Sequence, residues 1–387
     1  MSFTAKNDSI QVNEYSYSWL SRGFDWVYKN EIRKKQGSFK VGDWIEVYSP
    51  HNAFLGTGIW CGGHVAFRRF STERVEPTIL LTQRLQEALA RRPSFPPTAA
   101  WRWVHAENDQ LPGVRIDVWG TEIVLTLADP ALKCLIKPLL GAIRSCFTYT
   151  SIWGYVRAEK VEHLGCLSGR GDTEGQWVEE LGLRYWVEPN RSPDAGLFSD
   201  MRALRDWLTP YWKEKRCLNL FCFTGAFSVS AASNGAKQVT SVDLSSTYID
   251  WVQKNFIAND LSCDGHRFFA EDALKALDRF RRKQERFDMI VADPPSFSHG
   301  DAIWSVEKGL SGLVAGCLRV LEPQGWLVIA TNHGKMSPKD FAKAILDASV
   351  RTKRPVRILK QYNPPIDFPA ALSFPESRYL KCWVIQA

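Results

Sequence analysis

The chain has 387 residues, 45% of them hydrophobic and 24% charged, which marks it as globular and too long for one ordinary core. Its net charge of +7 is compatible with a polyanionic partner without requiring one. No run approaches the roughly 18 apolar residues of a membrane span. Met1 to Asn13 lacks an apolar signal core, and the nine cysteines include no Cys-x-x-Cys pair, so zinc and disulfides are disfavoured and a reducing cytoplasmic setting is expected.

Arg22, Lys29, Arg33, Lys34, Lys35 and Lys40 cluster early, and Arg68, Arg69 and Arg74 extend the basic run. A solvated face and an RNA-contacting face both fit this run. Trp19, Phe24, Trp26 and Tyr28, interleaved with the early charges, favour RNA. Between about Lys40 and Phe70 short segments at Trp44–Tyr48 and Phe54–Cys61 flank the turn Ser49–Asn52 and predict a small barrel. Glu76-Pro77 reads as a boundary. Leu81, Leu85, Ala88 and Leu89 then share one helical face that Arg92-Pro93 should stop. Val114, Ile116 and Val118 alternate, Trp119-Gly120-Thr121 turns, and Ile123, Leu125 and Leu127 alternate back as a hairpin. Asp129-Pro130 should cap a helix running toward Cys146, and a second hairpin should turn at Gly182.

After about Glu188 the pattern becomes strand–helix alternation. Strands are expected at 217–223, 238–243, 287–293 and 325–331. Helices are expected at 225–234, 246–259 and 272–282, with a longer one through Val306, Leu310, Leu313, Val314 and Cys317. Such alternation implies a parallel sheet covered on both faces, with ligands held where the strands end.

Four strand ends carry chemistry. Asn219 to Phe227 takes a strand through a glycine-bearing turn into a helix, where Gly225 would let backbone approach a ligand and the helix N-terminus favours an anion. The full Gly-x-Gly-x-x-Gly fingerprint is absent, which argues against a dinucleotide. Asp243, eighteen residues after Gly225, stands where an acid accepts both ribose hydroxyls, or else caps the next helix. Asp272 stands where an adenine amine could donate, or caps its own helix. Ile290 to Phe297 ends in Asp293-Pro294-Pro295-Ser296-Phe297. The prolines fix the backbone and leave carbonyls outward, so this edge could accept from a flipped base while Phe297 stacks on it. The bland alternative is a proline-rich loop after a buried strand.

These segments resemble the rRNA large-subunit methyltransferase I family. The likeness also rests on Gly23 to Tyr28, Glu107 to Gly113, Gly196 to Arg202 and the terminal Tyr379-Leu380-Lys381. It implies an α/β fold: a small β-barrel PUA-like RNA-binding domain (1–75), a central β-rich domain (76–187), and a class I, Rossmann-like methyltransferase domain (188–387). It also implies S-adenosylmethionine as donor and 23S rRNA, or a large-subunit precursor, as substrate. By position, Asn219, Phe221, Phe223, Thr224 and Gly225 would hold the methionine part, Asp243 the ribose and Asp272 the adenine. Asp200 and Arg202 would close over the cofactor, and Asp293, which borders it, would line the target base with Pro294, Pro295 and Phe297. A homodimer is compatible with the likeness, although no residue pattern demonstrates one.

The sequence departs from the family's cytosine-C5 members at the fifth strand, which ends Thr331-Asn332-His333-Gly334 with no cysteine. Cytosine C5 needs a thiolate added at C6 before it attacks a methyl group, and Asn332 cannot supply one. Cys222 and Cys317 are the conceivable substitutes. Asp293 to Ser298 and Thr331 to Gly334 are similar to the guanine-N7 half of the bifunctional methyltransferase K/L. Guanine N7 already has an in-plane lone pair, so positioning by Asp293, Pro294, Pro295, Phe297 and Asn332 would suffice. His333 is expected to be a solvated loop histidine and Lys335 a surface lysine. Three competing readings stay open: a nicotinamide oxidoreductase, a methyltransferase for small molecules or protein amides, and an RNA-binding protein with a relic domain.

Overall fold

The computed structural model describes residues 8–92, 98–172, 174–298 and 304–387, with backbone alone for Phe297, Ser298 and Trp304. Pro93, the expected helix stop, lies outside the described residues. The chain forms two compact units. One runs to Gln176 and adds Val187–Ala195 and Ile366–Ser377; the other comprises Trp177–Trp186, Gly196–Pro365 and Arg378–Ala387.

The first unit opens with a six-stranded sheet in the order Trp26–Tyr28, Val65–Ser71, Phe54–Trp60, Trp44–Tyr48, Ser9–Val12, Ile32–Gln36. Alternate residues such as Ile10, Val27, Val47 and Phe67 fill its core. A five-stranded sheet follows, in the order Val161–Gly169, Ser151–Arg157, Glu122–Leu127, Val114–Trp119, Ala100–His105. The hairpin at Gly120 forms as expected, with Trp119 opposite Glu122. It is nevertheless buried on both faces, because its polar positions are satisfied by protein rather than water. Asp117 pairs with Arg102 at 2.8 Å, and Glu122 accepts from the Trp153 indole at 2.8 Å.

The helix Pro77–Ala90 begins with Glu76 accepting from the Ile79 N–H at 2.9 Å. The Asp129 carboxylate accepts from the Ala131 N–H and starts the turn that leads into Ile136–Cys146. One apolar cluster joins Leu81, Leu85, Trp103 and Ile143 to Ile59 and Phe70 of the first sheet, so packing does not break at Glu76-Pro77. The late segment Ile366–Ser377 completes this unit. Asp367 is fully buried and accepts from the Arg102 N–H at 3.1 Å, while Phe374 stacks on Phe24 at 5.5 Å.

The basic run divides. Arg22, Lys29, Arg33, Lys34, Lys35 and Lys40 are exposed. Arg68 and Arg69 are instead buried, paired with Glu107 at 3.2 Å and with Asp25 at 2.9 Å. Those two guanidiniums belong to the core and not to a basic face. A charge buried in low dielectric must be paired, and these are.

The second unit is built on a seven-stranded sheet. Its strands are β1 (Arg216–Leu220), β2 (Gln238–Asp243), β3 (Arg267–Ala270), β4 (Phe287–Ala292), β5 (Leu321–Thr331), β6 (Arg357–Tyr362) and β7 (Lys381–Gln386), ordered β3-β2-β1-β4-β5-β7-β6. The four pairings from β3 to β5 run parallel, and β7 enters antiparallel between β5 and β6. The helices covering it include α1 (Ala226–Ser233), α2 (Ser246–Ala258), α3 (Ala273–Arg282), α4 (Val306–Val320) and α5 (Pro338–Thr352), and the short helix Arg202–Leu208 packs on it as well. The strand expected at 217–223 stops at Leu220 because Phe221 and Phe223 take φ of 55° and 51°. The hairpin at Gly182 pairs Gln176–Glu180 with Leu183–Val187. No helix among the described residues is long and apolar enough to cross a membrane.

Gly225 ends this turn at φ 82°, and a Cβ there would lie 2.6 Å from Val252 Cγ1. Its glycine character therefore serves the packing of α1 on α2 as well as the turn. Gly225→Ala is expected to cost about 2–4 kcal/mol through combined strain and overpacking, read as a lowered denaturation midpoint of the second unit.

Candidate active site

The parallel strands end around a cavity of about 570 Å³, located where the strand order reverses between β1 and β4. Each strand contributes the residue at or just past its end. Phe221 follows β1, Asp243 closes β2, Glu271 and Asp272 follow β3, Asp293 follows β4 and Asn332 follows β5, and all six line the cavity.

Asp243 ties two of these ends together. One carboxylate oxygen accepts from the Phe223 N–H at 2.9 Å and the other from the Ser245 N–H at 3.0 Å. Each oxygen retains lone-pair capacity toward the cavity. Burial raises the Asp243 carboxyl above its usual range, opposed by those backbone donors. The α2 cap is Ser245, not Asp243. Phe223 packs between Phe198 at 5.2 Å and Tyr248 at 4.7 Å, which holds its strained backbone in place. Asp272 does cap its helix, accepting from the Leu274 and Lys275 N–H groups at 3.0 and 2.9 Å, while still facing the cavity.

A second acidic pair stands at the far wall. Burial, and then the neighbouring Asp200 charge, push the Asp293 carboxyl up to about 7. Asp200 is held by the Tyr379 hydroxyl, donating at 2.6 Å to its carboxylate, and by the Tyr362 hydroxyl, donating to its carbonyl at 2.6 Å. Pro294, Pro295 and Ser296 continue this wall. The Ser296 hydroxyl donates to the Asn332 side-chain oxygen at 2.8 Å, which joins the ends of β4 and β5.

Other expected residues sit off the cavity wall. Asn219 is buried behind it, donating to Ser228 Oγ at 2.9 Å. Thr224 is buried and its hydroxyl donates to the Gly196 carbonyl. Arg202 is buried in the helix Arg202–Leu208 and, like Gly225, does not line the cavity. The Phe297 backbone pairs with Ser305, but its side chain lies outside the described set. His333 corrects its expectation. It is buried, and its Nε2 lies 2.9 Å from Glu307, because the β5 loop folds inward and the Lys381 ammonium donates to the His333 carbonyl at 2.9 Å. Lys335 is exposed. Tyr248 and Leu244 line the cavity without having been singled out, as do Met201 and Leu380, which had served only as marks of the family likeness. Tyr248 sits five residues past Asp243 on the first turn of α2, a spacing that could have flagged it.

Residues 159–375 match the S-adenosylmethionine-dependent methyltransferase profile and residues 10–72 a PUA-like domain. The ribosomal RNA large subunit methyltransferase I of Aeromonas salmonicida is 30% identical over 384 residues, spanning 95% of this chain and 96% of the relative. The chain belongs to the ribosomal RNA large subunit methyltransferase I family. Among solved structures, SMU.776, described as a methyltransferase and crystallised with SAH, superposes on this family member with a TM-score of 0.90 at 25% identity, covering 98% of this chain and 100% of the other. A Streptococcus mutans protein described as SAM-dependent gives 0.88 at the same identity and coverage.

The cavity of this methyltransferase I relative suits its cofactor. Five carboxylates line it, from Asp200, Asp243, Glu271, Asp272 and Asp293, with no lysine, arginine or histidine among the described residues. That charge suits a sulfonium cation with hydroxyl and amine donors, and disfavours the pyrophosphate of a dinucleotide. S-adenosylmethionine is thus the cofactor that family membership and this donor set share.

Proposed function

We propose that the chain methylates a guanine nitrogen in 23S rRNA, free or in a large-subunit precursor, without a cysteine nucleophile. The supporting observation is the chemistry of the cavity wall: it carries no thiol among the described residues. Cys222 and Cys317 are both buried, and burial drives their thiols well above the usual range, which removes the thiolate that C5 chemistry needs. Cys382, nearest the acids, is raised by burial and then by the Asp293 and Asp200 charges. All three environments oppose activation.

The cofactor supplies an electrophilic methyl group on a sulfonium centre. Asp243 accepts the ribose hydroxyls, Asp272 takes the adenine amine, and Phe221 to Gly225 shape the methionine end from a turn braced by Asn219 and Thr224. Asp200 closes this end, with Arg202 positioning its segment from below. Pro294 and Pro295 hold the edge beside Asp293 rigid, and Ser296 with Asn332 orients the base while Phe297 stacks on it. Guanine N7 requires no proton removal, so proximity and in-line alignment supply most of the rate. Residues 1–75 and 76–187, with their exposed early cations, grip the RNA.

The deciding experiment incubates the protein with labelled S-adenosylmethionine and unmodified 23S rRNA, then identifies the labelled nucleoside. The expected label is 7-methylguanosine. Label in 5-methylcytidine would overturn the guanine assignment and direct mutagenesis to Cys222, Cys317 and Cys382. An unlabelled RNA pool despite cofactor binding would point to a protein or small-molecule acceptor.

A further inference from the structure

The first unit holds a second concave site that methyl transfer does not use, a cup of about 150 Å³. Its wall is a chain of five rings, Tyr15, Trp19, Phe24, Trp26 and Tyr28. Each ring meets the next edge to face, at centroid separations of 6.3, 5.8, 5.9 and 6.3 Å. Local structure fixes them. Tyr15 and Trp19 stand one turn apart on the helix Glu14–Leu20. Trp26 and Tyr28 share one face of their strand while Val27 enters the core. Phe374 braces Trp26 at 4.8 Å, and the Trp26 indole donates to Glu107 at 2.8 Å.

The charge on this cup is negative. Glu31 and Glu376 line it, and no lining side chain among the described residues is cationic, although the Arg22 and Arg68 guanidiniums lie over the Trp19 and Trp26 rings at 5.9 and 4.8 Å. Glu31 is 7% exposed; one of its oxygens accepts from the Tyr28 N–H at 2.9 Å, and its Oε1 has no protein partner among the described residues. Burial and then the Glu376 and Glu31 charges push the Tyr28 phenol up, with the Arg68 charge opposing them, which places both acids in the field of the ring wall. A buried carboxylate without a counter-charge is costly, and ring faces add their own attraction for cations. An RNA phosphate entering the cup would meet the Glu31 and Glu376 charges.

We infer that this cup binds a positively charged organic head group, an alkylated ammonium or a guanidinium, carried by a small ligand or a protein side chain. The test titrates the full chain, by ligand-observed NMR, with tetramethylammonium, N-acetylarginine amide and a trimethyllysine peptide. Tert-butanol serves as the neutral isostere of tetramethylammonium, and a short unstructured oligoribonucleotide as the competing class. Cations should bind and tert-butanol should not. Glu31→Gln, which keeps the side-chain shape, and Trp19→Ala should each weaken cation binding by about tenfold. Peptide binding much tighter than tetramethylammonium would assign a protein partner, and equal binding a small ligand; both support the site. Equal binding of tert-butanol, no cation binding, or oligonucleotide binding that Glu31→Gln leaves unchanged would each overturn it.

Discussion

Replacing Asp243 by asparagine is expected to weaken S-adenosylmethionine binding by about 10²- to 10³-fold while the protein stays folded. The proposed ribose contact is a pair of hydrogen bonds to a charged acceptor, worth about 1.5–3 kcal/mol each, and every 1.4 kcal/mol is about tenfold in affinity. The carboxylate is already oriented by the Phe223 and Ser245 N–H groups, so little ordering is left for the ligand to induce. Asparagine keeps one oxygen for one of those two backbone donors, turns an amide NH2 toward the other and loses the charge. Calorimetric titration with S-adenosylmethionine and S-adenosylhomocysteine checks the result. Both ligands share the ribose, so both should weaken alike; a change below about threefold would remove Asp243 from the site.

The second large effect concerns pH. S-adenosylmethionine affinity is expected to rise by up to about tenfold per pH unit as pH climbs toward 7, then level off. S-adenosylhomocysteine, which lacks the sulfonium charge, should show a flatter profile. The Asp293 carboxyl sits at about 7 because of burial and the Asp200 charge. Below that pH it holds a proton and offers no charge to a cation, so protons compete with the ligand. The same shift fixes the sign for stability. A carboxyl raised above its ordinary value of 3.8 contributes stability that is complete below about pH 4 and lost as pH rises through about 7. A bound sulfonium offsets that loss, so its thermal stabilisation should be larger at pH 8 than at pH 6. Asp293→Asn should flatten both profiles. Parallel curves for the two ligands in the wild type would show that Asp293 does not face the sulfonium.

Periodicity and strand-end chemistry made much of the second unit legible. The strand Gln238–Asp243 is found at its expected limits, α1 to α3 fall within a residue of theirs, and α4 contains every residue named for it. These segments alternate strongly, and their signals are local. What stayed hidden depends on distant partners. β7 enters the sheet antiparallel, a placement that nothing in Lys381–Gln386 specifies. Arg68 and Arg69 look like surface cations until Glu107 and Asp25 fold against them. His333 reads as a loop residue because its burial is set by Lys381, forty-eight positions away. In the cavity, Asp243, Asp272 and Asp293 were visible from their places at strand ends, while Glu271 beside them was not singled out. Tyr248 was not, because an aromatic on a helix resembles any core residue until Phe223 is seen against it.

The segment Ile366–Ser377 has a consequence for biosynthesis. Chains leave the ribosome from the N-terminus and domains tend to fold as they emerge. Here the first unit must wait for Asp367 and Phe374, and the second for the strand Lys381–Gln386 that fills the gap between β5 and β6. Both depend on segments made after residue 365. A nascent chain stalled before Asp367 therefore carries two unfinished cores at once, exposed to aggregation.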